Sequence, residues 1–503
     1  MNLASIIESH PPEAVALRYA SSSTTFGQLR ERAASVRRGL GARGVRRGER
    51  VALVFPTTPD FVAAYLGVLG AGAVAVPLNP QSPIAELETE LAAVRPAMVL
   101  LGGASLDQFS GQVVALGHRA LGFGEVEDAG GPDVAIADTG ADEPAAFLFT
   151  SGTAGTPKAA ILSHGSLLAN IEQVELRIGL AVTAEDTGVL VVPPFHVLGL
   201  NAVLGVQLFA GGPLVLVERF DPAGLLQTIG DEKVTVLAGV PQLFAALLAV
   251  PGASGEELAT LRLACSGAAP LQPEVAEGFL ARFGVRIWQG YGLTEASPTV
   301  SFPDLAGEWR PDSVGTPLPG VEVRIVDADG EEVELGDPGE ILVRGPNVFS
   351  GYFENDAATS AAVDRAGWLH TGDVAVMDED GSLTIVDRSK DLIIVSGFNV
   401  FPAEVEQVLR RHPGVAEAAV VGVPDAEQGE SVRAFVVPAP ASAGGEPGGE
   451  PGGEPDGEEV LEEAEIVEFC SRYLARYKCP ASVSIVGELP RTPSGKVLRR
   501  AVG

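Results

Sequence analysis

The sequence predicts an α/β protein with a large N-terminal domain of doubly wound sheets and a small α+β C-terminal domain. The chain has 503 residues, more than a single hydrophobic core normally organises. Strand-like apolar runs alternate with helix-like runs up to about residue 290, a pattern typical of parallel sheets covered on both faces. From about Val314, short strand-like runs separated by turns replace that alternation and predict a small β-barrel-like subdomain.

Hydrophobic periodicity predicts the elements of the large domain in order. An early βαβ unit has strands at 52–55 and 73–77 around a helix at 60–69. Later strands are predicted at 145–149, 159–162, 189–192, 214–217, 234–238 and 261–266. The later helices are predicted at 198–209, 222–230, 241–250 and 273–283. Because ligands of such sheets bind beyond the carboxyl ends of the strands, segments 266–270 and 289–295 are candidate site segments.

The remaining chain divides at a charged link. Strands at 321–326, 340–343 and 383–386 form the predicted β-subdomain. The predicted domains are residues 1–387 and 392–503, joined by 388–391. The C-terminal elements are strand 392–395, helix 403–411, strands 415–423 and 433–437, helix 464–477 and strand 483–486. Residues 438–460 contain a tandem Gly-Gly-Glu-Pro repeat and are expected to be a solvated, disordered, acidic insert.

Charge and cysteine content limit the classes of partner. The net charge of −32, from 66 acidic and 34 basic residues, argues against nucleic acids and anionic membranes, though not against nucleotides. Cys265, Cys470 and Cys479 have neither metal-ligand spacing nor a pairing pattern, which fits a reducing cytoplasm. The uncharged stretch 187–217 is long enough to span a bilayer, but its prolines and glycines predict strand, loop, buried helix and strand. No signal peptide or transmembrane segment is predicted.

The segment from Thr150 to Lys158 has the composition of a phosphate-binding loop. Its glycines let the backbone approach a ligand, and its N–H groups, hydroxyls and ammonium suit a polyphosphate. It is not a Walker A loop, because no Gly-Lys-Ser/Thr closes it and it joins two predicted strands.

Five segments occur in an order that resembles the adenylate-forming superfamily, which includes acyl-CoA synthetases, aryl-CoA ligases, peptide-synthetase adenylation domains and firefly-type luciferases. These segments are 150–158, 291–295, 371–373, 387–390 and 493–496. The resemblance is strongest to fatty acyl-CoA synthetases. It implies a large N-terminal domain, a small mobile C-terminal domain and an active site between them. It also implies two half-reactions: a carboxylate attacks the α-phosphate of ATP and releases pyrophosphate, and a thiol then displaces AMP.

The resemblance also implies a role for each matching residue. The expected contacts to phosphate are Thr150, Ser151, Gly152, Thr153, Gly155, Thr156, Lys158 and Thr294. Glu295 and Thr150 are the expected Mg²⁺ ligands. The expected adenine contacts are Gly267, Ala268, Ala269 and Tyr291, and Asp373 should bind the ribose with Arg388 assisting. Further expected cofactor-binding residues are Gln289, Gly290 and Gly292. Lys390 matches the hinge, and Gly397 should lie against the pantetheine arm. The expected catalytic set is Lys496, His196, Glu295 and Thr294, with Lys496 bridging the carboxylate and the α-phosphate.

Two positions predict an uncharged acyl group. Amino-acid adenylation domains carry an aspartate after the phenylalanine that matches Phe195, and here that residue is His196. Synthetases for malonate-like diacids carry arginine at the position of Gly290. With neither counter-charge present, and with segment 197–200 apolar, a medium- to long-chain fatty acid is favoured and an aryl or arylalkenyl acid is the alternative. Asn201 is interpreted either as a donor to a substrate hydroxyl or as a core amide.

The acceptor is predicted from the absence of a fused carrier domain. Coenzyme A is the default acceptor, and an acyl carrier protein is the alternative. Luciferase-like oxidation and a non-catalytic nucleotide sensor are weaker alternatives, and a sensor is expected to have lost Lys496 or Glu295. The expected ligands are therefore a small carboxylic acid, ATP, Mg²⁺ and coenzyme A, and a homodimer is left open.

Overall fold

The computed structural model of this chain describes residues 1–128, 134–150, 158–177, 181–388, 393–395, 398–425, 429–439, 461–474, 476–491 and 497–502. The predicted disordered insert lies outside the described residues from residue 440 onwards. Predictions for the loop 151–157, for Lys390, for Gly397 and for Lys496 also concern residues outside the described part.

The first sheet of the large domain has six strands. The strands of the first 163 residues are β1 (Val15–Tyr19), β2 (Ser22–Thr25), β3 (Arg50–Val54), β4 (Val74–Leu78), β5 (Met98–Leu101), β6 (Ala120–Gly122), β7 (Pro144–Thr150) and β8 (Lys158–Ser163). The helices are α1 (Phe26–Ala42), α2 (Pro59–Gly70), α3 (Ile84–Val94), α4 (Ala104–Ala115) and α5 (Phe123–Glu127), after a 3-10 helix at Leu3–Ile7. The sheet order is β6-β5-β3-β4-β7-β8. Its strands pair in parallel except β7 and β8, which are antiparallel.

The second sheet has seven strands. Its later strands are β9 (Gly188–Leu190), β10 (Leu214–Leu216), β11 (Val236–Gly239), β12 (Leu263–Ser266) and β13 (Ile287–Gln289). The intervening helices are α6 (His164–Glu175), α7 (Val206–Ala210), α8 (Pro222–Glu232), α9 (Pro241–Leu248) and α10 (Pro273–Phe283), with a π-helix at Leu198–Gly205. The order is β13-β12-β11-β9-β10-β1-β2, and only β2 runs antiparallel to its neighbour. The predicted parallel sheets and their alternating helices are therefore confirmed.

Local signals explain where several helices begin. Thr25 caps α1 by accepting a hydrogen bond from the N–H of Gln28, and the Gln28 side chain in turn accepts one from Thr25 N–H. The helices α2, α8, α9 and α10 carry proline in the first turn, where its missing N–H is not needed. These prolines made the starts of the helices predictable from sequence.

Each sheet is covered by its own apolar cluster. Residues of β3, β4 and β5 pack with the apolar faces of α3 and α4. Around the second sheet, α8, α9 and α10 supply the cover, and Phe244 and Phe279 meet there edge to face with ring centroids 5.5 Å apart. Burial of this kind is the main term that stabilises such layers.

Shorter strands follow the second sheet. They are β14 (Tyr291–Gly292), β15 (Thr299–Phe302), β16 (Thr316–Pro317), β17 (Glu322–Val326), β18 (Gly339–Arg344), β19 (Leu369–Met377) and β20 (Leu383–Arg388), with helix α11 (Asp356–Ala362) and a 3-10 helix at Thr294–Ala296. They form a three-stranded sheet, β14-β15-β16, and a four-stranded sheet, β17-β18-β19-β20. The predicted change to short β-strands is confirmed.

The C-terminal part is a mixed α+β fold. Its elements are β21 (Ile393–Val395), β22 (Phe398–Val400), α12 (Pro402–Arg410), β23 (Val415–Asp425), β24 (Gly429–Pro438), α13 (Glu463–Ser471) and β25 (Ser482–Ile485), with 3-10 helices at Arg476–Lys478 and Arg499–Ala501. The sheet order is β22-β21-β24-β23, and β25 pairs with β24. The predicted helix 464–477 is too long, because after Ser471 the N–H groups of Tyr473 and Leu474 both turn back to the Cys470 carbonyl.

The chain divides into two compact units. One comprises residues 1–324, 342–371 and 377–384. The other comprises residues 325–341, 372–376 and 385–503. Within the described ranges, none of the helices combines the length and the hydropathy needed to cross a bilayer. The stretch 187–217 contains a strand, a π-helix followed by a short α-helix, and a strand, as predicted.

Candidate functional site

The predicted phosphate loop is bounded by two strands that pair with each other. Thr150 is the last residue of β7, Lys158 is the first residue of β8, and the two face each other across the antiparallel pair. This confirms that the loop joins two strands and therefore differs from a Walker A loop. The residues between them lie outside the described part, so their phosphate contacts stay predictions.

Lys158 and Glu295 both contact Tyr352, a residue that the sequence analysis missed. The Lys158 Nζ atom lies 5.1 Å from the centroid of the Tyr352 ring, within the range of a cation–π contact. The Tyr352 hydroxyl donates a hydrogen bond of 2.6 Å to Glu295 Oε1. Burial raises the pKa of Tyr352, and the Glu295 carboxylate raises it further, so the phenol remains a neutral donor.

The segment 350–353 brings Tyr352 to this position by pairing with the outer edge of β8. The N–H of Ile161 donates to the carbonyl of Gly351 at 2.9 Å, and the N–H of Phe353 donates to the carbonyl of Ala159 at 2.9 Å. Just before this segment, the N–H of Phe349 donates to the backbone carbonyl of Glu295 at 2.9 Å. The same short stretch therefore contacts both the start of β8 and the backbone of Glu295.

Small residues follow the ends of β12 and β13. Residues 267–269 continue from β12, and Ala268 has a φ of 68°, which orients its backbone in the left-handed region. The buried Gln289 side chain, at the end of β13, accepts a 2.8 Å hydrogen bond from the N–H of Leu271. Gln289 was predicted as a nucleotide contact, and it already holds the neighbouring strand-end segment in place.

The two glycines at these strand ends have different surroundings. Among the described residues, a Cβ added to Gly267 would have two neighbours within 4 Å, the carbonyl oxygen of Gly290 at 3.9 Å and Leu198 Cδ1 at 4.0 Å. A Cβ added to Gly290 would instead lie 2.6 Å from Cδ2 of the buried Phe302 ring. Within the part of the chain that the structure describes, Gly267 therefore borders free space, whereas the space next to Gly290 is occupied by Phe302.

The segment after β13 is held by the buried side-chain amide of Asn201. Tyr291 is 8% exposed and starts β14, and Thr294 and Glu295 lie in a short 3-10 helix. The Asn201 Nδ2 atom donates to the carbonyls of Leu167 at 3.0 Å and Ser297 at 2.7 Å. Asn201 is 1% exposed and both amide hydrogens are used within the protein, so the core-amide interpretation is confirmed.

The predicted helix 198–209 begins as a π-helix. Its first eight residues, Leu198–Gly205, have the wider winding, and α7 continues directly from it. Such π segments frequently lie at functional sites.

His196 precedes this helix and packs against the ring of Phe195 at a tilted angle, with ring centroids 4.6 Å apart. Burial lowers the pKa of His196, so the imidazole is neutral near pH 7.

Asp373 belongs to the second compact unit. It lies on β19, is 7% exposed, and follows Gly372, whose N–H donates to Glu340 Oε1 at 3.1 Å. It is therefore a buried strand residue and not a turn aspartate on the surface. Arg388 is the last residue of β20.

The described part of the chain contains no ready-made cluster of metal-binding side chains. Among those residues, no group of three or more His, Cys, Asp and Glu side chains is placed to hold a metal ion. Glu295 therefore cannot belong to a protein cage of that kind within these residues. A single carboxylate fits Mg²⁺, which usually binds one or two carboxylates together with substrate phosphates and waters.

Comparison with known families gives two matches along the chain. Residues 5–353 match the family described as AMP-binding enzyme. Residues 404–496 match the family described as AMP-binding enzyme C-terminal domain.

Individual relatives are similar over almost the full length. Feruloyl-CoA synthase from Amycolatopsis sp is 38% identical over 98% of this chain and 96% of that protein. Long-chain-fatty-acid–CoA ligase from Escherichia coli O157:H7 is 36% identical over 95% of this chain and 89% of that protein. ATP-bound MatB from Rhodopseudomonas palustris has a TM-score of 0.90 and 32% identity, covering 100% of this chain and 98% of that one. O-succinylbenzoate coenzyme A synthetase from Bacillus subtilis, in complex with ATP and magnesium ion, has a TM-score of 0.85 and 28% identity over 99% of this chain and 98% of that one.

Proposed function

The chain belongs to the AMP-binding enzyme family, and on that premise we propose that it activates an uncharged carboxylic acid with ATP and transfers the acyl group to coenzyme A. AMP-forming acid–CoA ligase activity is supported by the family and by both relatives. The observation that carries the proposal is the contact of Lys158 and Glu295 with one side chain, Tyr352, beside the end of β7. A cation suited to phosphate and a carboxylate suited to Mg²⁺ are thereby brought together.

In this proposal the two half-reactions use different groups. Lys158 and the loop 151–157 bind the β- and γ-phosphates, and Thr294 contacts the α-phosphate. Glu295 and Thr150 hold Mg²⁺, which when bound neutralises charge on the phosphate oxygens. Lys496 stabilises the charge that builds at the α-phosphate while the substrate carboxylate attacks it and pyrophosphate leaves.

The nucleoside is proposed to bind against the small residues that follow β12 and β13. Gly267, Ala268 and Ala269 offer little side-chain bulk, and Tyr291 offers an aromatic ring for stacking. Asp373 and Arg388 are proposed to bind the ribose. The hydrogen bond from Leu271 N–H to Gln289 supports this slot indirectly, because it fixes the spacing of the two strand ends.

A medium- to long-chain fatty acid is the proposed acid. Gly267, which borders the proposed nucleoside slot, also faces the apolar side chain of Leu198, and neither Gly290 nor His196 supplies a charge that would pair with a charged acid. Burying an unpaired carboxylate there is unfavourable by several kcal/mol, roughly the penalty for an uncompensated buried ion. An aliphatic tail carries no such penalty.

An arylalkenyl acid is the second candidate. The feruloyl-CoA synthase is as similar to this chain as the fatty-acid ligase, at 38% against 36% identity. A planar ring also needs space without charge, so free space beside Gly267 suits either acid. Coenzyme A is the proposed acceptor, and a phosphopantetheine carried by an acyl carrier protein remains the alternative.

The deciding experiment measures AMP release with octanoate, palmitate, ferulate, 4-coumarate and methylmalonate, each with and without coenzyme A. Release that requires both a fatty acid and coenzyme A supports the proposal, and a clear preference for ferulate selects the second candidate. A companion test uses Lys496→Ala, which should lose ~10²–10³-fold in adenylation and retain thioester formation from supplied acyl-adenylate. Equal loss in both half-reactions would contradict the role of Lys496.

A further inference from the structure

We propose that Tyr352 is a positioning residue that orients Glu295 for a Mg²⁺–nucleotide complex and keeps Lys158 separated from that carboxylate. The inference rests on the proposed function, because it concerns the same nucleotide site. It begins from three side chains of one compact unit, and each of the two contacts involves a different part of the Tyr352 side chain.

The backbone around Tyr352 is fixed on two sides. Its neighbours Gly351 and Phe353 hydrogen-bond to residues 161 and 159 of β8. The N–H of Tyr352 donates to Oγ1 of Thr359, in the middle of α11, at 2.9 Å. Since β8 begins at Lys158, the position of the phenol ring is coupled to the strand that carries the lysine. A side chain held in this way can restrict its partners without touching the substrate.

The hydroxyl restricts Glu295. Tyr352 donates to Oε1 at 2.6 Å, and a carboxylate has enough acceptor sites to keep Oε2 available for a metal ion. The backbone of Glu295 is held as well, through the hydrogen bond from Phe349 N–H to its carbonyl. The carboxylate therefore reaches the metal with its rotamer already selected, which lowers the entropy lost on binding.

The ring keeps two opposite charges apart. Lys158 contacts the ring and Glu295 contacts the hydroxyl, and in the described part of the chain the two make no ion pair within 4.0 Å. Without the ring between them, the ammonium and the carboxylate are free to approach and neutralise each other. Both charges are needed for ligands, the lysine for phosphate and the glutamate for the metal, so separation preserves both.

The test measures binding of a non-hydrolysable ATP analogue by calorimetry over a range of Mg²⁺ concentrations, with neither acid nor coenzyme A. Tyr352→Phe keeps the ring and removes the hydroxyl, so the Mg²⁺ concentration for half-maximal binding should rise about tenfold, the scale of one hydrogen bond to a charged group. Affinity at saturating Mg²⁺ should stay within about twofold.

Tyr352→Leu removes the ring that separates the two charges as well as the hydroxyl, so affinity should fall about tenfold even at saturating Mg²⁺. Tyr65→Phe, which removes a buried hydroxyl from α2, is the matched control and should behave as wild type.

A double variant separates positioning from a general structural defect. If Tyr352 acts through Glu295, adding Tyr352→Phe to Glu295→Gln should not change binding further. An equal loss of binding in both backgrounds would overturn the inference, as would a wild-type Mg²⁺ midpoint for Tyr352→Phe. If the wild-type protein itself fails to bind the analogue with Mg²⁺, the proposed function fails instead.

Discussion

In the large unit, the residues at the strand ends of the six-stranded sheet differ in character from those at the strand ends of the seven-stranded sheet. Beside the end of β7, in the six-stranded sheet, Lys158 contacts Tyr352, which in turn hydrogen-bonds to Glu295. Beyond β12 and β13, in the seven-stranded sheet, the strand ends carry glycine and alanine, and their spacing is held by Gln289. The first sheet therefore supplies the cationic Lys158, and the strand ends of the second supply shape, so the lysine and the strand ends can be altered independently.

The sheets also differ in how they accommodate a buried carboxylate. Asp186, just before β9, is 5% exposed and accepts hydrogen bonds from Arg262, Thr183 and Thr235. Burial alone would raise the pKa of Asp186, but those hydrogen bonds hold it below its usual value. Glu90, on α3 over the six-stranded sheet, is 7% exposed, and its Oε2 has no hydrogen-bond partner in the part of the chain that the structure describes. Burial raises the pKa of Glu90 to about 7.

The strongest test of the comparison removes charge from the first sheet. Lys158→Ala should lower kcat/KM for ATP by ~10²–10³, since a positioned charge near the phosphates is lost. The KM for the acid should stay within about twofold because the second sheet is untouched. Steady-state kinetics with each substrate varied in turn measures both values. Lys158→Arg, which keeps the charge with a different shape, is the control. If the KM for the acid rises by a factor comparable to the loss in kcat/KM for ATP, the division into charge and shape is wrong.

The next test concerns Glu90, whose Oε2 lacks a hydrogen-bond partner among the described residues. Because its pKa in the folded protein lies above that of an ordinary glutamate, the folded state keeps a proton that the unfolded state loses between about pH 4.5 and 7. Stability should therefore fall as the pH rises through this window. Glu90→Gln cannot ionise, so at pH 8 it should raise the free energy of unfolding by about 3 kcal/mol and raise Tm accordingly, with a much smaller change at pH 5.

Thermal melting of wild type and Glu90→Gln at several pH values from 5 to 8 measures this difference. Glu88→Gln, an exposed substitution on the same helix, is the matched control and should not change the pH dependence. A constant Tm difference between the Glu90 variant and wild type over that range would show that Glu90 does not titrate there.

A third test changes shape without charge. Gly267→Ala should be tolerated, since its Cβ would have no neighbour closer than 3.9 Å. Gly267→Leu should fill the space toward Leu198 and raise KM for palmitate about tenfold, and the KM for ATP should rise as well because Gly267 also borders the proposed nucleoside slot. Kinetics with a short and a long fatty acid distinguish the outcomes. If Gly267→Leu affects both acids equally, the space beside Gly267 does not receive the acyl chain.

The smallest effect is expected at Gln289. Gln289→Met keeps the volume but leaves the buried Leu271 N–H without its 2.8 Å acceptor, at an expected loss of stability of about 1 kcal/mol. Because the strand-end segment then loosens, the KM for ATP should rise roughly two- to fivefold. Melting temperature and ATP kinetics are measured together, with Gln81→Met, an exposed substitution, as the control. A wild-type KM for ATP despite a lower Tm would confine Gln289 to a structural role.

The sequence predicted those parts of the fold that depend on local patterns. Apolar runs identified the strands, and prolines marked the starts of α8, α9 and α10. The hairpin β1–β2 was missed because β2 consists only of serine and threonine, which give no apolar alternation. The π-helical winding at Leu198–Gly205 was also missed, since its periodicity was interpreted as an α-helix.

In the candidate site, the residues that belong to local motifs were predictable from sequence. Thr150, Lys158, Thr294 and Glu295 stand in recognisable motifs, and each lies at or after a strand end. Tyr352 was missed because its contacts with Lys158 and Glu295 depend on the pairing of segment 350–353 with β8, far away in sequence. For acid specificity, Gly290 was interpreted as a missing counter-charge, and no local pattern shows that a side chain there would first meet Phe302. Contacts across such distances leave no local signal.

The contact between Gly290 and Phe302 limits how new specificity can evolve at this position. Arginine at 290, the residue that the resemblance implies for synthetases of malonate-like diacids, would have its Cβ 2.6 Å from the Phe302 ring. A substitution at 290 alone therefore requires the buried Phe302 ring to move. Replacing Phe302 alone by a small residue leaves a cavity, which lowers the free energy of unfolding by about 3–5 kcal/mol. The two changes should be strongly epistatic, each harmful alone and less so together. An adaptive path toward charged acids would then have to cross a fitness valley or begin from a stabilised ancestor.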